Sequence, residues 1–586
     1  MILTCSPSPA STSRARRTSW GRCWVARIIA ATAAPASSWA QAPVWQSAVA
    51  VSQPMGAESY VTATAADGSG NVYVAGNFTG ALTLGGSTLT SAGSNDVFIA
   101  KWEAATARFV WAQRAGGTGD DQIRGLSVAG SSVYIVGDFT GSTFDFGPTT
   151  LHNMGELIKT DAFVAKLTDT GPAATYGWVK QIGGAGQEFG NAIALSGTSA
   201  YVVGWFDGAS THLGDLTLPN GGRLGYPDLF VAKVTDAGST ADITWAQRAG
   251  GTGDDVAAAV AVSGTSVYVA GHFDGPTASF GSTVLTNVGQ TNVFVAKLTD
   301  AGSTSSFTWA QAAGGAGTTE ARALAVNGPN LYLTGVLFSA EPNHFGTTTL
   351  ISAGASDVFV AKLTDSGSMG VYTWALRAGG TGRDVGVSLA VQGPSVYVGG
   401  AYQSVATFGT TTLTSAGDFD VFVAKLTDSG STGAVTWVQS AGGSGPDYAY
   451  AVGITGTSVY VAGSARPPAH FGALSLATPS GNQTGFLASL TDRPLLAAAP
   501  AHSLSDVELW PNPAHGAVTV VLPVGWAGAT IALTDVLGRT VRTFAAGRRP
   551  LTDQHQLLSL AGLPAGLYAV RLQVGPVKAV RWLVID

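Results

Sequence analysis

Apolar and polar residues alternate in short runs along most of the chain. In one stretch the alternation predicts four strands, Ala257–Val262, Val267–Ala270, Val293–Leu298 and Phe307–Gln311. β-branched and aromatic residues fill the runs, and Gly, Ser and Asp separate them, which favours strands over helices. A further hairpin, Phe280–Leu285, lies between the second and third strands. The pattern therefore predicts a unit of four strands and one hairpin.

This unit recurs at a nearly constant interval. Its clearest mark is a tryptophan in the fourth strand, found at Trp45, Trp111, Trp178, Trp245, Trp309, Trp374 and Trp437. Successive tryptophans are 66, 67, 67, 64, 65 and 63 residues apart. A fixed period indicates copies of one unit that bury their apolar faces against their neighbours. Four-stranded units repeated around an axis build a β-propeller.

The count of strands predicts how the ring closes. The run of first, second and third strands occurs seven times and ends near Leu490, but the Trp45 strand precedes all seven runs. If that strand completes the last blade, the ring has no exposed sheet edges. We therefore predict an all-β fold with a seven-bladed β-propeller over residues 41–494.

The motifs of these repeats also resemble those of a known group of proteins. Val-Tyr-Val-x-Gly and Asp-x-Phe-Val-Ala-Lys-Leu, recurring in that order over about residues 45–490, are similar to the propeller-type repeats of bacterial exported proteins. The resemblance implies the architecture. It implies little about activity, because propellers host many functions.

The period stops near residue 490, where a second kind of sequence begins. Residues 495–505 are predicted to be a linker, and residues 506–586 a small β-sandwich. Its six predicted strands are Val518–Leu522, Thr530–Thr534, Thr540–Phe544, Gln556–Ser559, Gly566–Val574 and Lys578–Val584.

This second domain resembles the type A C-terminal sorting domain of the type IX secretion system of Bacteroidota. The resemblance rests on Leu-Trp-Pro-Asn-Pro-Ala, Asp-Val-Leu-Gly-Arg and Leu-Pro-Ala-Gly-Leu-Tyr, whose motif residues are Pro511, Asn512, Pro513, Gly538, Arg539, Gly566 and Tyr568. It implies that the type IX machinery recognises residues 506–586, carries the chain across the outer membrane and removes this domain. The product is then expected on the cell surface or in the medium.

The N-terminal region predicts entry into the periplasm. Residues 1–40 have a basic start, a mostly apolar middle and small residues before a cleavage point after Ala40, as a signal peptide has. Its removal takes away five Arg, which changes the net charge from −6 to −11, and both cysteines, Cys5 and Cys23. No apolar run of the mature chain reaches the length of a transmembrane helix.

The charge distribution argues against a nucleic-acid partner. Residues 506–586 carry a net charge of +2, so residues 41–505 carry about −13. A ring of that sign repels phosphate backbones and attracts cations or basic surfaces.

Charged residues that recur in most copies are interpreted as structural. One acidic position follows the tryptophan by ten residues, and it holds Asp121, Glu188, Asp255, Asp384 and Asp447; Glu58 matches it by alignment, and Thr319 replaces it once. Such a carboxylate can accept N–H bonds in the turn before the first strand. Lys101, Lys166, Lys233, Lys297, Lys362 and Lys425 share a third-strand position, where each is expected to pair with a carboxylate of its own or the adjacent blade.

The remaining candidates for metal or phosphate binding are better explained as ordinary hairpin and turn residues. His212, His344 and His470 share a hairpin position on three different repeats, so we expect solvated side chains rather than a zinc site. Gly-Gly-x-Gly lacks the Lys-Ser/Thr of a phosphate loop, which makes it a turn. We expect no metal or cofactor, with calcium the one open possibility.

Function should reside in residues that break the repeat. The candidates for ligand binding are Trp205, His272 and Tyr402, together with the irregular hairpins at residues 219–227 and 466–470. We expect a non-enzymatic module that binds a glycan or a protein. The alternatives are a polysaccharide lyase or hydrolase, for which no convergent acid and base are evident, and a purely structural surface protein.

Overall fold

The structure is a computed structural model that describes residues 42–51, 57–155, 158–338, 340–477, 481–492, 507–522, 530–545, 555–574 and 577–586. The predicted signal peptide, residues 1–40, and the predicted linker, residues 495–505, lie outside these ranges. Every regular element within them is a β-strand. None of these described segments forms a helix with the length and apolar character needed to cross a membrane.

The described part of the repeat region forms seven blades of four antiparallel strands each. The first strands, which surround the axis, are Ser59–Ala66, Asp121–Ala129, Glu188–Ser196, Asp255–Ser263, Thr319–Asn327, Asp384–Gln392 and Tyr448–Thr455. The second strands are Asn71–Phe78, Ser132–Phe139, Ser199–Phe206, Ser266–Phe273, Asn330–Leu337, Ser395–Phe408 and Ser458–Ala465. The third strands are Asp96–Glu103, Asp161–Asp169, Asp228–Asp236, Asn292–Asp300, Asp357–Asp365, Thr411–Asp428 and Thr484–Thr491. The fourth strands are Arg108–Ala115, Ala174–Gly184, Ala241–Gly251, Ser305–Gly315, Gly370–Gly380, Gly433–Gly443 and Trp45–Ala50.

The ring closes as predicted. The strand Trp45–Ala50 pairs antiparallel with Thr484–Thr491, with Trp45 opposite Leu490 and Ala50 opposite Phe486, so the first strand of the chain is the fourth strand of blade 7. This pairing joins the two ends of the repeat region and covers the outer edge of the last third strand. The prediction of an all-β, seven-bladed propeller is confirmed.

Hairpins lie between the second and third strands, and those of blades 2 to 7 pair with the fourth strand of the preceding blade. They are Ala81–Leu84 with Ser87–Thr90, Thr143–Phe146 with Thr149–His152, Ser210–Leu213 with Leu216–Pro219, Thr277–Phe280 with Thr283–Thr286, Asn343–Phe345 with Thr348–Leu350, and Ala469–Phe471 with Leu474–Leu476. In blade 6 the hairpin is continuous with its two long neighbouring strands. The hairpin of blade 3, for example, pairs with the fourth strand of blade 2, where Gly183 lies opposite His212.

The core lies between adjacent blades. Third strands are buried on both faces, which fits their nearly continuous apolar sequence. One apolar cluster joins Tyr201 and Val203 of blade 3 with Val267 and Phe294 of blade 4. No blade could bury these faces alone, which explains why the unit had to be repeated.

The repeated lysines pair with the adjacent blade. The carboxylate is the aspartate that ends the next blade's third strand: Lys233 Nζ lies 2.7 Å from Asp300 Oδ2. The same aspartate accepts the Tyr201 hydroxyl at 2.6 Å and Trp245 Nε1 at 3.0 Å. Equivalent groups meet at Asp169, Asp236, Asp365, Asp428 and Asp492. The repeated tryptophan and lysine therefore serve one inter-blade contact.

The junction between blades 7 and 1 lacks this contact. Ser489 stands at the lysine position and Ala104 at the aspartate position, so both charges are replaced together. Trp45 Nε1 instead donates to the carbonyl of Ser440 at 3.0 Å. An apolar cluster that includes Trp102 and Tyr460 fills the closing junction. Apolar packing can replace a buried ion pair with little loss of stability.

The described C-terminal region forms two sheets. One contains Glu508–Trp510, Ala517–Val521 and His555–Ser559, and the other contains Thr540–Ala545, Thr530–Thr534, Gly566–Val574 and Val577–Ile585. Val518 of the first sheet and Ile531 and Val570 of the second share one buried cluster, as a sandwich requires. The sequence predicted six strands and missed Glu508–Trp510, because a strand of three residues ending at a proline gives too short a pattern to recognise.

Candidate functional site

A channel runs along the axis of the propeller. The seven first strands line it, and it encloses a cavity of about 570 Å³. That volume falls in the range of small-molecule sites. Because each blade contributes the same backbone, the differences around the channel come entirely from side chains.

An arc of aromatic and charged side chains lies on one side of this channel. The Trp205 and Phe189 rings stack with centroids 4.3 Å apart and planes 22° apart. The Arg124 guanidinium lies 5.1 Å from the Phe189 centroid and forms an ion pair with Asp138, whose burial raises the pKa of its carboxyl while Arg124 lowers it. Stacking and the ion pair together hold the three side chains in place. We call Arg124, Phe189, Trp205 and His272 the channel arc.

His272, in the neighbouring blade, completes the arc. Its Nδ1 is buried and makes no hydrogen bond with any described residue. Burial lowers the pKa of this imidazole, and the neighbouring Glu320 raises it by a smaller amount. The ring is therefore neutral near pH 7, and its Nδ1 is a buried nitrogen without a partner among the described residues.

The structure brings two of the three predicted ligand-binding residues together. Trp205 and His272 both line the channel, at equivalent positions of blades 3 and 4. Their role in binding stays a prediction. The two predicted hairpins are not part of this lining.

Tyr402 is not where the sequence placed it. It is 0% exposed and packs in the core beside Phe408 and Phe422, so it presents no surface to a ligand and the prediction that it binds one is wrong. Tyr402 lies opposite Asp384, the position that phenylalanine occupies in other blades. Its neighbour Ala401 takes the channel position. A shift of one residue along a strand moves a side chain to the opposite face of the sheet. The sequence interpretation of this strand was wrong by that one residue.

Sequence reasoning missed several residues of the channel. The residue next to the repeated acid at the start of a first strand differs from blade to blade, and Gln122 and Val256 at this position line the cavity. Around the ring these residues are Tyr60, Gln122, Phe189, Val256, Glu320, Val385 and Tyr448. They vary while the residues on either side repeat. A column of variable residues inside a constant repeat is the signal that would have found the channel.

Asp121, Asp255, Asp384 and Asp447 accept the turn N–H bonds predicted for the repeated acids, and one position needs a correction in register. Asp121 Oδ2 accepts Gly117 N at 2.6 Å, and Asp255 Oδ2 accepts Gly251 N at 2.7 Å, so these carboxylates do bind the N–H groups of the turn. Ser59, and not Glu58, occupies this position in blade 1, because Ser59 lies opposite Phe78 as Asp121 lies opposite Phe139.

The three hairpin histidines do not converge on one place. His212, His344 and His470 are exposed, each on a different blade, and the first two contact a threonine hydroxyl of their own hairpin at 3.1 Å. In the portions of the chain that the structure describes, no three or more His, Cys, Asp or Glu side chains form a group that could hold a metal ion.

The motif residues of the C-terminal domain mainly shape turns. The Asn512 side chain donates to Trp582 O at 2.8 Å and accepts Val584 N at 2.9 Å, fixing the segment to the last strand. Asp535 bonds to Arg539, with Gly538 between them at a φ of 79°. The Tyr568 hydroxyl donates to Pro564 O at 2.9 Å.

Comparison with known families decides the nature of this domain. Residues 508–586 match the family described as "Secretion system C-terminal sorting domain". They are a sorting domain of the type IX secretion system. The sorting domain indicates export by this route to the cell surface or the medium. No curated protein matches the chain.

Solved structures similar to this chain include three with propeller folds, all at low similarity. PorZ, an essential bacterial surface component of the type-IX secretion system of Porphyromonas gingivalis, is 11% identical, with a TM-score of 0.18, over 92% of this chain and 100% of that chain. Quinohemoprotein alcohol dehydrogenase from Comamonas testosteroni is 12% identical, with a TM-score of 0.34, over 76% of each chain. A mutant Trypanosoma rangeli sialidase is 9% identical, with a TM-score of 0.32, over 92% and 88%. These values carry no argument about function.

Proposed function

We propose that this protein is a non-enzymatic binding module, exported through the periplasm and the outer membrane, whose propeller binds a neutral oligosaccharide in the central channel. The observation that carries the proposal is that Trp205, which stacks on Phe189, and His272 line the same cavity. An indole ring and an imidazole in one cavity suit the apolar face and the hydroxyl groups of a sugar ring.

The charges in the channel favour a neutral ligand. Arg124 is paired with Asp138, and Arg322 Nη2 lies 2.5 Å from Glu320 Oε2, so neither guanidinium is left to bind an anionic group. The same pairing argues against an enzyme. A glycosidase needs two carboxyl groups placed on either side of the bond, and these two are held by arginines.

Binding can be tested on the purified chain. We would screen neutral and acidic polysaccharides on an array and measure hits by calorimetry. Trp205→Ala and His272→Ala should each weaken binding about fivefold or more, since a stacked ring and a hydrogen bond each contribute about 1 kcal/mol or more. Trp582→Ala and His344→Ala, exposed residues outside the channel, are the matched controls.

Two results would overturn the proposal. Binding that survives both channel substitutions would move the ligand elsewhere on the surface. New reducing ends or unsaturated products from any polysaccharide would make the protein an enzyme. After export, removal of the sorting domain should leave the propeller attached to the surface or released, which mass spectrometry of the cell fraction and the medium can distinguish.

A further inference from the structure

Every first strand of the described ring contains a β-bulge at the same position, and the bulged residue lines the cavity of the channel. In blade 7, for example, the register shifts between Ala449 and Ala451, so Tyr450 is the extra residue. A bulge changes the direction of one side chain, and bulges are common beside binding and active sites. The bulged residues are Thr62, Arg124, Asn191, Ala258, Arg322, Val387 and Tyr450.

An apolar collar forms the inner end of this cavity. Two residues after the bulge, blade 1 has Thr64 and each of the other six blades has a branched aliphatic residue. These collar residues are Thr64, Leu126, Ile193, Val260, Leu324, Leu389 and Val452. Leu195 and Val262, which lie further along their strands, are not part of the lining. A sugar chain that passed through the collar would lose the hydrogen bonds of its hydroxyl groups to water, so it must enter and leave at the other end. We call that end, where the first strands begin, the mouth.

Tyr450 gives the cavity an aromatic wall opposite the channel arc. Blade 7 is three blades from blade 3 in one direction and three from blade 4 in the other, so Tyr450 lies across the axis from Trp205 and His272. Gln483 Nε2 donates to Ser464 Oγ at 2.9 Å, and Ser464 Oγ donates to the Tyr450 hydroxyl at 3.5 Å. These bonds orient the Tyr450 ring. A sugar unit in the cavity therefore meets aromatic rings on two sides.

Two further rings continue this wall from the cavity to the mouth. The Tyr448 and Tyr450 centroids lie 5.8 Å apart with planes at 11°, and the Phe419 and Tyr448 centroids lie 5.2 Å apart with planes at 33°. Tyr448 begins the first strand, and neither it nor Phe419 belongs to the lining of the cavity. The Asp447 N–H donates to the Phe419 carbonyl at 2.8 Å, which holds this residue of blade 6 beside the first strand of blade 7. We call Tyr450, Tyr448 and Phe419 the aromatic ladder.

The fold does not require aromatic side chains at these positions. All three rings of the aromatic ladder are partly exposed, whereas the core ring of Tyr402 is fully buried. In blade 4 the positions of Tyr448 and Tyr450 hold Val256 and Ala258, and in blade 5 the position of Phe419 holds Ser356. A continuous row of exposed rings in one part of an otherwise repeated structure indicates a contact surface.

We propose that the channel binds one end of a linear, neutral glycan chain, with the terminal unit between the channel arc and Tyr450 and the next units along Tyr448 and Phe419. The assignment depends on the proposed function and adds to it the class of ligand and its direction. The apolar collar stops the chain at its end, and each ring of the ladder offers a face to the apolar side of one unit. The exposed carboxylate of Asp418, next to Phe419, favours an uncharged chain over an anionic one.

The first test is chain length. Calorimetry on the purified full chain would use linear, neutral oligosaccharides of glucose, xylose and mannose, from one to about six units. We expect the affinity to rise up to about the third unit and then to stay constant, because a longer chain has no further ring of the aromatic ladder to contact. A bulky group attached to one end of the chain should weaken binding about tenfold or more, and the same group on the other end should change it little, because only one end enters the cavity.

Variants of the aromatic ladder separate this proposal from the proposed function. Phe419→Ala should weaken binding of the longest oligosaccharides about threefold or more and leave binding of a single unit unchanged, whereas Trp205→Ala should weaken both. Phe419→Leu keeps an apolar side chain without a ring and should weaken binding in the same way, at an unchanged melting temperature. Phe338→Ala, an exposed phenylalanine outside the cavity lining, is the matched control and should bind as the parent does.

The outcomes distinguish the two proposals. Binding that depends on Trp205 but not on chain length or on Phe419, or that tolerates a bulky group on either end, would overturn the chain-end proposal alone. The same holds if a polysaccharide binds on the array and none of these oligosaccharides does. Absence of binding by both would overturn the chain-end proposal together with the proposed function.

Discussion

The contact between Lys233 and Asp300 can be tested by substitution, because the closing junction of the same ring lacks both charges. Asp300 accepts three side-chain donors from blade 3: Lys233 Nζ, the Tyr201 hydroxyl and Trp245 Nε1. Asp300→Ala removes the acceptor of all three. Lys233, which is 7% exposed, then keeps a charge without its carboxylate and is left with the carbonyl of Gly302 at 3.0 Å.

The size of the effect follows from which groups lose their partners. Removal of one partner of a buried ion pair costs about 3–5 kcal/mol, most of it for the charge left behind. The double substitution Asp300→Ala with Lys233→Ser copies the closing junction, where Ala104 and Ser489 stand. It removes that charge and leaves Tyr201 and Trp245 without an acceptor, at about 1 kcal/mol each. We expect the double substitution to lower the free energy of unfolding by about 2 kcal/mol. Adding Lys233→Ser to Asp300→Ala should therefore restore about 1–3 kcal/mol of that free energy.

Urea unfolding of the parent, both single variants and the double variant measures the coupling free energy. The pH dependence gives an independent check. Burial would raise the pKa of Asp300, but its bonds from Lys233, Tyr201 and Trp245 outweigh burial and lower the pKa to about 2. The contribution is therefore present above the unfolded pKa near 4 and is lost as the pH falls toward 2. A double variant less stable than Asp300→Ala would refute the reasoning.

Three further predictions concern the ring. Burial raises the pKa of Asp255 to about 8, so its protonated form stabilises the fold below the unfolded pKa near 4, and this contribution is lost as the pH rises through about 8. Asp255→Asn should therefore flatten the fall in melting temperature between pH 6 and 9. An unchanged slope would contradict this prediction. Gly379→Ala places a Cβ 2.0 Å from Asp357 Oδ1 at a φ of 143°, whereas Gly68→Ala meets nothing within 4 Å; the first should destabilise the protein by about 2 kcal/mol or more and the second by less than 1, as thermal melts would reveal. Trp45→Ala removes a buried ring from the closing strand and should cost about 3–5 kcal/mol; a smaller loss, with protease resistance near residue 490 retained, would mean that closure does not depend on this ring.

The sequence predicted some residues of the candidate site correctly and misplaced others. Trp205 and His272 stood out because they interrupt the repeat, and both line the channel. Tyr402 interrupts it too, yet it lies in the core, because the face of a strand residue depends on a register that the sequence pattern locates only to within about one residue. For the same reason the sequence assigned Glu58 to the acidic position of blade 1, which Ser59 occupies in the structure.

The sequence by itself determined the architecture. The repeated unit of about 65 residues can bury its apolar faces only against its own copies. Because the Trp45 strand supplies the missing fourth strand of the last unit, the seven units can close only as a ring of seven blades. The motifs near Pro511, Gly538 and Tyr568 likewise indicated the sorting domain without any coordinates.

Only the tertiary structure decided which residues meet. Lys101 and Asp169 are 68 residues apart, and Asp161 meets Glu188 and Thr211 across a blade boundary. Periodicity shows that such positions recur, but it contains no information about which column faces its counterpart in the next blade. That choice depends on the twist of each sheet and the register of its strands, because these set the direction in which every side chain points.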